Sequence, residues 1–321
     1  MSAVGRSAVQ YFFPRWSARG AHSTKIMLRS LLLFILTVPS LVALVVAPWR
    51  LAAQNGATPY VPNMKETVRV AGQAVNYSIE PGRIEMAELR KRFTPEQMAL
   101  LEKLNRADLA HLPRMRQLVV PESFGPMVTI EDELLYAPLP REWPSAAQTA
   151  KAIVVHLPGQ MFGGYEYGKL VRWGPISSGS DKMPTPAGFH HLNWKSKGRT
   201  STEDPTWYMK WYFNFQNIDG RALHALEMPG YPASHSCIRM LERDAMWLYG
   251  WGEQWQLDAT KTNVDRPGTP VLLVGQFDFN AYYPWRAPAW LAKPVELPPL
   301  PETPQRELAL ETTPHAETVQ P

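Results

Sequence analysis

Cysteine is the scarcest residue of this 321-residue chain: Cys237 is its only one. A lone thiol excludes an internal disulfide, and the absence of a second cysteine pair excludes the common structural zinc frameworks. A site built from His224, His235 and Cys237 is disfavoured too, because the His-x-Cys spacing sets two ligands too close for the usual loop geometry. Charge is also sparse, with 19% Asp, Glu, Lys and Arg and a net charge of +4. No Arg/Lys stripe with interleaved aromatics is present, so nucleic acid is not an expected partner. No internal repeat of useful length occurs. What the chain has in quantity is proline (31) and tryptophan (12), which implies many loops and turns and a broad aromatic surface or a packed core.

Residues 31–47, LLLFILTVPSLVALVVA, form an uncharged apolar run preceded by Arg15, Arg19, Lys25 and Arg29. The flanking charge puts the preceding segment on the cytoplasmic side. The run is short for a spanning helix and slightly long for a signal-peptide core. LAAQ at 51–54 offers a cleavage site after Ala53, and Met27 is an alternative start. Either way the remainder is expected in the periplasm or cell envelope, tethered to the inner membrane through 31–47 if the run is not cleaved. Export sharpens the question of the cysteine: outside the cytoplasm thiols tend to be paired or oxidised. An unpaired one is therefore either buried and inert or kept as a reactive group.

The expected division is a leader with the apolar segment (1–53), a linker (54–75), a small module (76–122), a second linker (123–149), a catalytic domain (150–276) and a largely disordered C-terminal extension (277–321). Within the module, FTPEQMALLEKLNRADLAHLPRMRQLVVPE opens on Thr94 as a helix cap with Pro95 at the first helical position. An apolar stripe at helical spacing follows, then a turn at Asn105–Asp108 and a short strand ended by Pro121. The stretch resembles the second half of a lysin-motif (LysM) repeat, a glycan-binding module; the other reading is a plain helical spacer.

From 151 onward, short runs punctuated by Gly and Pro indicate a β-rich unit: AIVVHL, MFGGYEY, LVRWGPIS, GFHHLNW, TWYMKWYFNFQ, RALHAL and the final strand TPVLLVGQ. LERDAMWLYGWGEQW, just past the cysteine, has helical spacing. A nucleophilic cysteine needs a base within reach and often a third group that orients the base. In an extended segment His235, Cys237 and Arg239 share a face. The turn EMPGYP can fold the strand carrying His224 back against Cys237. On these residues alone, a buried structural thiol beside ordinary histidines stays open. His190 and His191, adjacent on a strand, point to opposite sheet faces, and Trp207, Tyr208, Trp211, Tyr212 and Phe213 form either a substrate wall or core.

HALEMPGYPASHSCIRM resembles the signature of the L,D-transpeptidase (YkuD-type) catalytic domain, a His, a spacer, then S/T-H-G-C-x-R/N. The opening strands through SSG and the element MPTPAGFHHL are similar to that family as well. The resemblance implies a mainly β fold, a curved β-sheet sandwich around a cleft with one helix after the cysteine. It implies Cys237 as nucleophile, His224 as general base, the backbone carbonyl of Ala225 orienting His224, and His235 holding substrate or oxyanion. Arg239, Ser234 and Ser236 would contact substrate or shape the pocket. The implied reaction is acyl transfer on peptidoglycan stem peptides through a cysteine thioester, without cofactor or metal. The acceptor would be an amine of another stem or of an envelope protein. Resolution by water would make the chain an L,D-carboxypeptidase, and a dead site would leave a peptidoglycan-binding protein. Two departures stand out: Ser236 occupies the glycine position, and the spacer between His224 and Ser234 is short.

Overall fold

Residues 65–302, apart from 71, 72, 125–132 and 292, are described by a computed structural model. The leader, its apolar run and the residues after 302 lie outside the described residues. Among those described, no helix is long and apolar enough to cross a membrane.

The N-terminal module has more strand than expected. β1 (Lys65–Val70) and β2 (Gln73–Pro81) form an antiparallel pair, helices α1 (Met86–Arg92) and α2 (Pro95–Asn105) follow, and β3 (Gln117–Pro121) pairs with β2. Thr94 caps α2 as expected, its side chain accepting from Gln97 N–H while Gln97 reaches back to Thr94 N–H. The reading of the module as a plain helical spacer is corrected by β2 and its antiparallel pairing with β3. Tyr77 and Ile79 are buried there, alternating with Ser78 and Glu80, the strand period that VNYSIE (75–80) carries in the sequence.

The next strands are β4 (Lys151–His156), β5 (Met161–Glu166), β6 (Lys169–Ser177), β7 (Gly188–His191), β8 (Lys195–Thr200), β9 (Tyr208–Gln216), β10 (Arg221–Ala225) and β11 (Ile238–Met240). Helix α3 (Glu242–Trp251), the small hairpin β12 (Gln256–Leu257) and β13 (Val264–Arg266), and strand β14 (Pro270–Val274) complete this part. Nine of them make one sheet in the order β7-β14-β4-β5-β6-β11-β10-β9-β8. β14 with β4 and β10 with β11 are parallel, and the other neighbours are antiparallel. The β5–β6 turn, Tyr167–Gly168, has φ of 46° and 73°, the positive values that a two-residue hairpin with the right twist requires. The sheet curls until β7 meets β9: His190 packs on Phe215 with ring centroids 5.4 Å apart. The fold is mainly β, as expected.

The sheet is apolar on both faces, and this explains two departures from the expected domain plan. Along β4, Ile153 and Val155 face a core shared with Phe162, Phe213, Leu223, Ile238 and the α3 residues Ala245 and Leu248. Ala152 and Val154 face the other way, against Met161, Tyr165 and Trp173. That second face is covered by Leu100, Leu104 and Val119 of the module, by Tyr136, Leu139 and Trp143, and by Trp285 and Leu291. The stretch 133–149 is therefore core rather than linker. Residues 277–302, expected to be disordered, are tied down instead. Trp143 Nε1–H donates to Pro298 O (2.9 Å), Val295 N–H to Pro138 O (3.1 Å) and Leu300 N–H to Ser145 Oγ (2.9 Å). Burying apolar sheet surface outweighs the proline-rich composition that argued for disorder.

Lys103 and Arg106 are buried where the module meets the sheet. Lys103 Nζ donates to Trp173 O and contacts Glu133 Oε1, both at 2.7 Å, while Arg106 donates to Gly159 O at 3.0 Å. Burial pushes both pKa values down, that of Arg106 to about 9.

Trp285→Ala is expected to cost about 3 to 5 kcal/mol of unfolding free energy, the range for deleting a buried large aromatic side chain. Urea unfolding of the variant measures it, and a cost near zero would mean that 277–302 is not part of the fold.

Candidate active site

The parallel register of β10 and β11 sets Leu223 beside Ile238, His224 beside Arg239 and Ala225 beside Met240. Continued back by one residue, it sets Cys237 beside Ala222. Side chains alternate along a strand, so His224, Arg239 and Cys237 share one face. That face forms a wall of a cleft of about 620 Å³ lined by His224, Ser234, His235, Ser236, Cys237 and Arg239. All six side chains expected from sequence thus meet in one cavity.

His224 is only 2% exposed. Its Nδ1 lies 3.2 Å from Ala225 O, the carbonyl expected to orient it, and Tyr212 stacks on the ring at 6.3 Å and 15°. A proton on Nδ1, donated to that carbonyl, leaves Nε2 as the acceptor. Burial lowers the His224 pKa to about 4; the bond to Ala225 opposes the shift and the Arg239 charge adds to it. At neutral pH the imidazole is uncharged.

Cys237 is half-buried, and its Sγ lies 3.9 Å from Gly220 O, a carbonyl that also accepts from Tyr212 Oη at 3.0 Å. Burial pushes the thiol pKa up, against a backbone hydrogen bond at Ala222 and the charges of Arg221, Arg239 and Arg199. The three guanidiniums also line the cleft. Arg199 lies over Trp194 (5.3 Å) and Tyr212 (5.5 Å), and Arg221 is paired with Asp219 at 2.7 Å. Sequence reasoning missed Arg199 and Arg221, because their charges converge on the cysteine only through the sheet.

The remaining expected residues are held as follows. Ser234 is buried and joined to the end of β6 by backbone bonds, Ser234 N–H to Ser178 O (3.0 Å) and Ser180 N–H to Ser234 O (2.8 Å). His235 packs on Trp207 at 4.7 Å, and its Nδ1 is buried without a hydrogen-bond partner among the described residues. Arg239 lies over the same indole at 4.7 Å and donates to Glu227 O at 3.4 Å. Trp207 is thus cleft wall rather than core. His190 and His191 are not among the cleft residues; His190 packs on Phe215 and His191 on Phe189. Among the described residues, no group of three or more His, Cys, Asp or Glu is placed to hold a metal ion.

Ser236 stands at φ 68°, in the left-handed region that favours glycine. Its carbonyl accepts from Thr185 Oγ1 at 3.0 Å, and that oxygen accepts from Gly179 N–H at 2.8 Å. The threonine of MPTPAGF thus ties the β6 exit to the residue before the cysteine.

Residues 150–273 match the family model of YkuD, the L,D-transpeptidase catalytic domain. Among solved structures, an L,D-transpeptidase from Stackebrandtia nassauensis is 20% identical, over 41% of this chain and 58% of that one, with a TM-score of 0.33. L,D-transpeptidase 1 from Mycobacterium tuberculosis is 20% identical over 39% and 62%, with a TM-score of 0.30. An L,D-transpeptidase from Xylanimonas cellulosilytica is 25% identical over 57% and 81%, with a TM-score of 0.37. The chain spans less than two thirds of the length of the first two. No curated protein matches it.

Replacing Ser236 by glycine is expected to raise stability by about 0.5 to 1 kcal/mol, since relief of the left-handed strain exceeds the backbone entropy that glycine adds to the unfolded chain. Denaturant titration checks this, and a destabilised S236G would mean that the serine hydroxyl matters more than the backbone angle.

Acid sensitivity follows from the histidines. His156, His190, His191 and His224 are each held at about 4 against an ordinary 6.5, with burial as the largest cause. Between those values the unfolded chain binds protons that the folded protein does not, so acidification removes stability. The loss is up to about 1.4 kcal/mol per pH unit for each imidazole. Thermal midpoints measured from pH 7 down to pH 4 should fall steadily through this window, whereas a flat profile would contradict the buried neutral rings.

Proposed function

We propose that the chain is a peptidoglycan L,D-transpeptidase acting at the cell envelope, with Cys237 as nucleophile and His224 as its base. The match of 150–273 to the L,D-transpeptidase catalytic domain supports the family. The observation that carries the site assignment is the β10–β11 register, which lines one wall with a cysteine and a buried imidazole braced by its neighbour's carbonyl.

Thiol and imidazole are both neutral at pH 7, so the sulfur is activated as it reacts. Cys237 Sγ attacks the carbonyl carbon of the diamino acid at stem position three, and its proton passes to His224 Nε2. Backbone N–H groups near 236–237 face the tetrahedral oxyanion. On collapse, the C–N bond to the terminal D-alanine breaks and the leaving amine takes the proton from His224. An acceptor amine then attacks the thioester, gives its proton to His224, and the thiol leaves reprotonated. Arg239 and His235, both packed on Trp207, hold the substrate near the sulfur, a role for which a guanidinium beside a carboxylate is suited. The buried, unpartnered Nδ1 of His235 fits this reading, since it is left for a ligand to satisfy.

Muropeptide digestion by the purified chain, with Cys237→Ala and His224→Ala beside it, tests the proposal. Crosslinked dimers carrying a new 3→3 bond are expected from the wild type, none from C237A, and a loss of about a hundredfold or more from H224A. Intact mass after exposure to a carbapenem should show one adduct on Cys237. Trimmed monomers in place of dimers would make the chain an L,D-carboxypeptidase, and neither product nor adduct would leave a binding protein with a dead site.

A further inference from the structure

We infer that the N-terminal module is a working part of the active site, with Asp108 as a positioning residue for the loop that joins the base to the nucleophile. The inference rests on the reading of Cys237 and His224 as that pair.

Residues 226–232 connect β10 to the cysteine segment, and the described structure ties them to two different parts of the protein. The second half hangs from the nine-stranded sheet: Ser177 Oγ–H donates to Tyr231 O at 2.7 Å, and Ser177 Oγ accepts from Ala233 N–H at 3.0 Å. The first half hangs from the module. Asp108 N–H donates to Met228 O (2.9 Å), and Met228 N–H donates back to Asp108 Oδ2 (2.8 Å). Beside this pair, Ala107 and Pro229 form an isolated antiparallel bridge. Gly230, at φ 88°, sits so close that a Cβ there would lie 3.2 Å from Met115 Cε, 3.5 Å from Asn105 O and 3.6 Å from Ala107 Cβ.

The Asp108 carboxylate divides its two oxygens between the two bodies of structure. Oδ2 serves the loop, while Oδ1 accepts from His111 N–H at 3.0 Å and lies 2.7 Å from His111 Nδ1. The turn is itself rooted, since Asn105 Nδ2 donates to Leu101 O and Val119 O, and Val119 N–H donates to Asn105 Oδ1. The module also grips the far flank of the cysteine. Arg243, on α3 just after β11, donates to Glu102 Oε2 and, at 3.0 Å, to Ala99 O of α2. Glu102 Oε1 in turn accepts from Leu109 N–H at 3.0 Å. The His224-to-Cys237 unit is thus bracketed on both sides by one helix-turn segment outside the matched catalytic region.

The physical need is clear from the topology. Parallel neighbours cannot be joined by a tight hairpin, and the usual crossover of a dozen or more residues is braced by a helix of its own. Here residues 226–237 make the crossing without a helix, on a proline-bearing link. A displacement of that link by an ångström would misalign sulfur and imidazole, which costs catalysis far more than it costs thiol access.

The test compares two reactions of the full chain's single thiol. Acylation by a carbapenem needs the assembled site, whereas alkylation by iodoacetamide, run at a pH high enough to ionise the thiol, needs only an accessible thiolate. Asp108→Ala is expected to lower the saturating acylation rate about tenfold or more, with alkylation not reduced. Asp108→Asn should recover most of the acylation rate, because its amide oxygen can still accept from Met228 N–H. Should D108A fail to fold, Gly230→Ala presses on the same contact from the loop side and should give the same selective loss. An unchanged acylation rate, or equal loss in both reactions, overturns the inference while leaving the thioester reading intact. A wild-type chain that the carbapenem leaves unmodified overturns that reading, and this inference with it.

Discussion

Two short strands running the same way, β10 and β11, carry both halves of the candidate catalytic pair, and their register is the constraint from which the site follows. Because the side-chain period of a strand is two, a slip of one residue would turn His224 or Cys237 away from the cleft. The register is held by more than the ladder between the two strands. β11 is also paired with β6, through Arg239 with Ser177 and Met240 with Ile176, and β10 with β9. Buried Leu223, Ile238 and Met240 behind the wall give the register its energetic preference, since a slipped pairing would expose them.

The chemistry at the wall is a balance of burial against charge. The same packing that seals His224 keeps it neutral and able to take a proton. It also keeps the thiol protonated, against the pull of three arginines. A thiol held protonated until substrate is aligned is a poorer target for oxidation than a standing thiolate. The strained backbone of Ser236, fixed between Thr185 and the cysteine, belongs to the same device, because it sets the direction in which the chain enters β11.

A sheet apolar on both faces needs two covers, one from within the sheet region and one from the segments on both sides of it. Helix α3 lies over one face, while the module, the 133–149 stretch and the 277–302 segment close the other. The region matching the L,D-transpeptidase catalytic-domain model shares its core with segments on both sides of it. Lys103 and Arg106, cations buried at the seam, are retained where apolar residues would pack more cheaply, and their bonds to Trp173 O and Gly159 O fix the module in one position on the sheet.

Local patterns were sufficient for much of this. Alternation and turn residues located β4, β5, β6, β9, β10 and β14, helical spacing located α3, and the lone cysteine with its flanking His and Arg marked the site. These features are legible because each rests on contacts or periodicities within a few residues. What lay beyond the sequence were the relations between distant segments. β2 is an exception, since VNYSIE (75–80) carries the strand period locally and is only overshadowed by the helix signals that follow it. Residues 277–302 read as disordered because nothing local discloses the bare sheet face awaiting them. Arg199, Arg221, Trp207 and Asp108 gained their places only when the curled sheet and the module brought them to the cleft or its loop. The sequence by itself determined which residues are candidates for the chemistry. Only the tertiary structure decided what holds them in line, because that support comes from packing between parts of the chain that no local pattern connects.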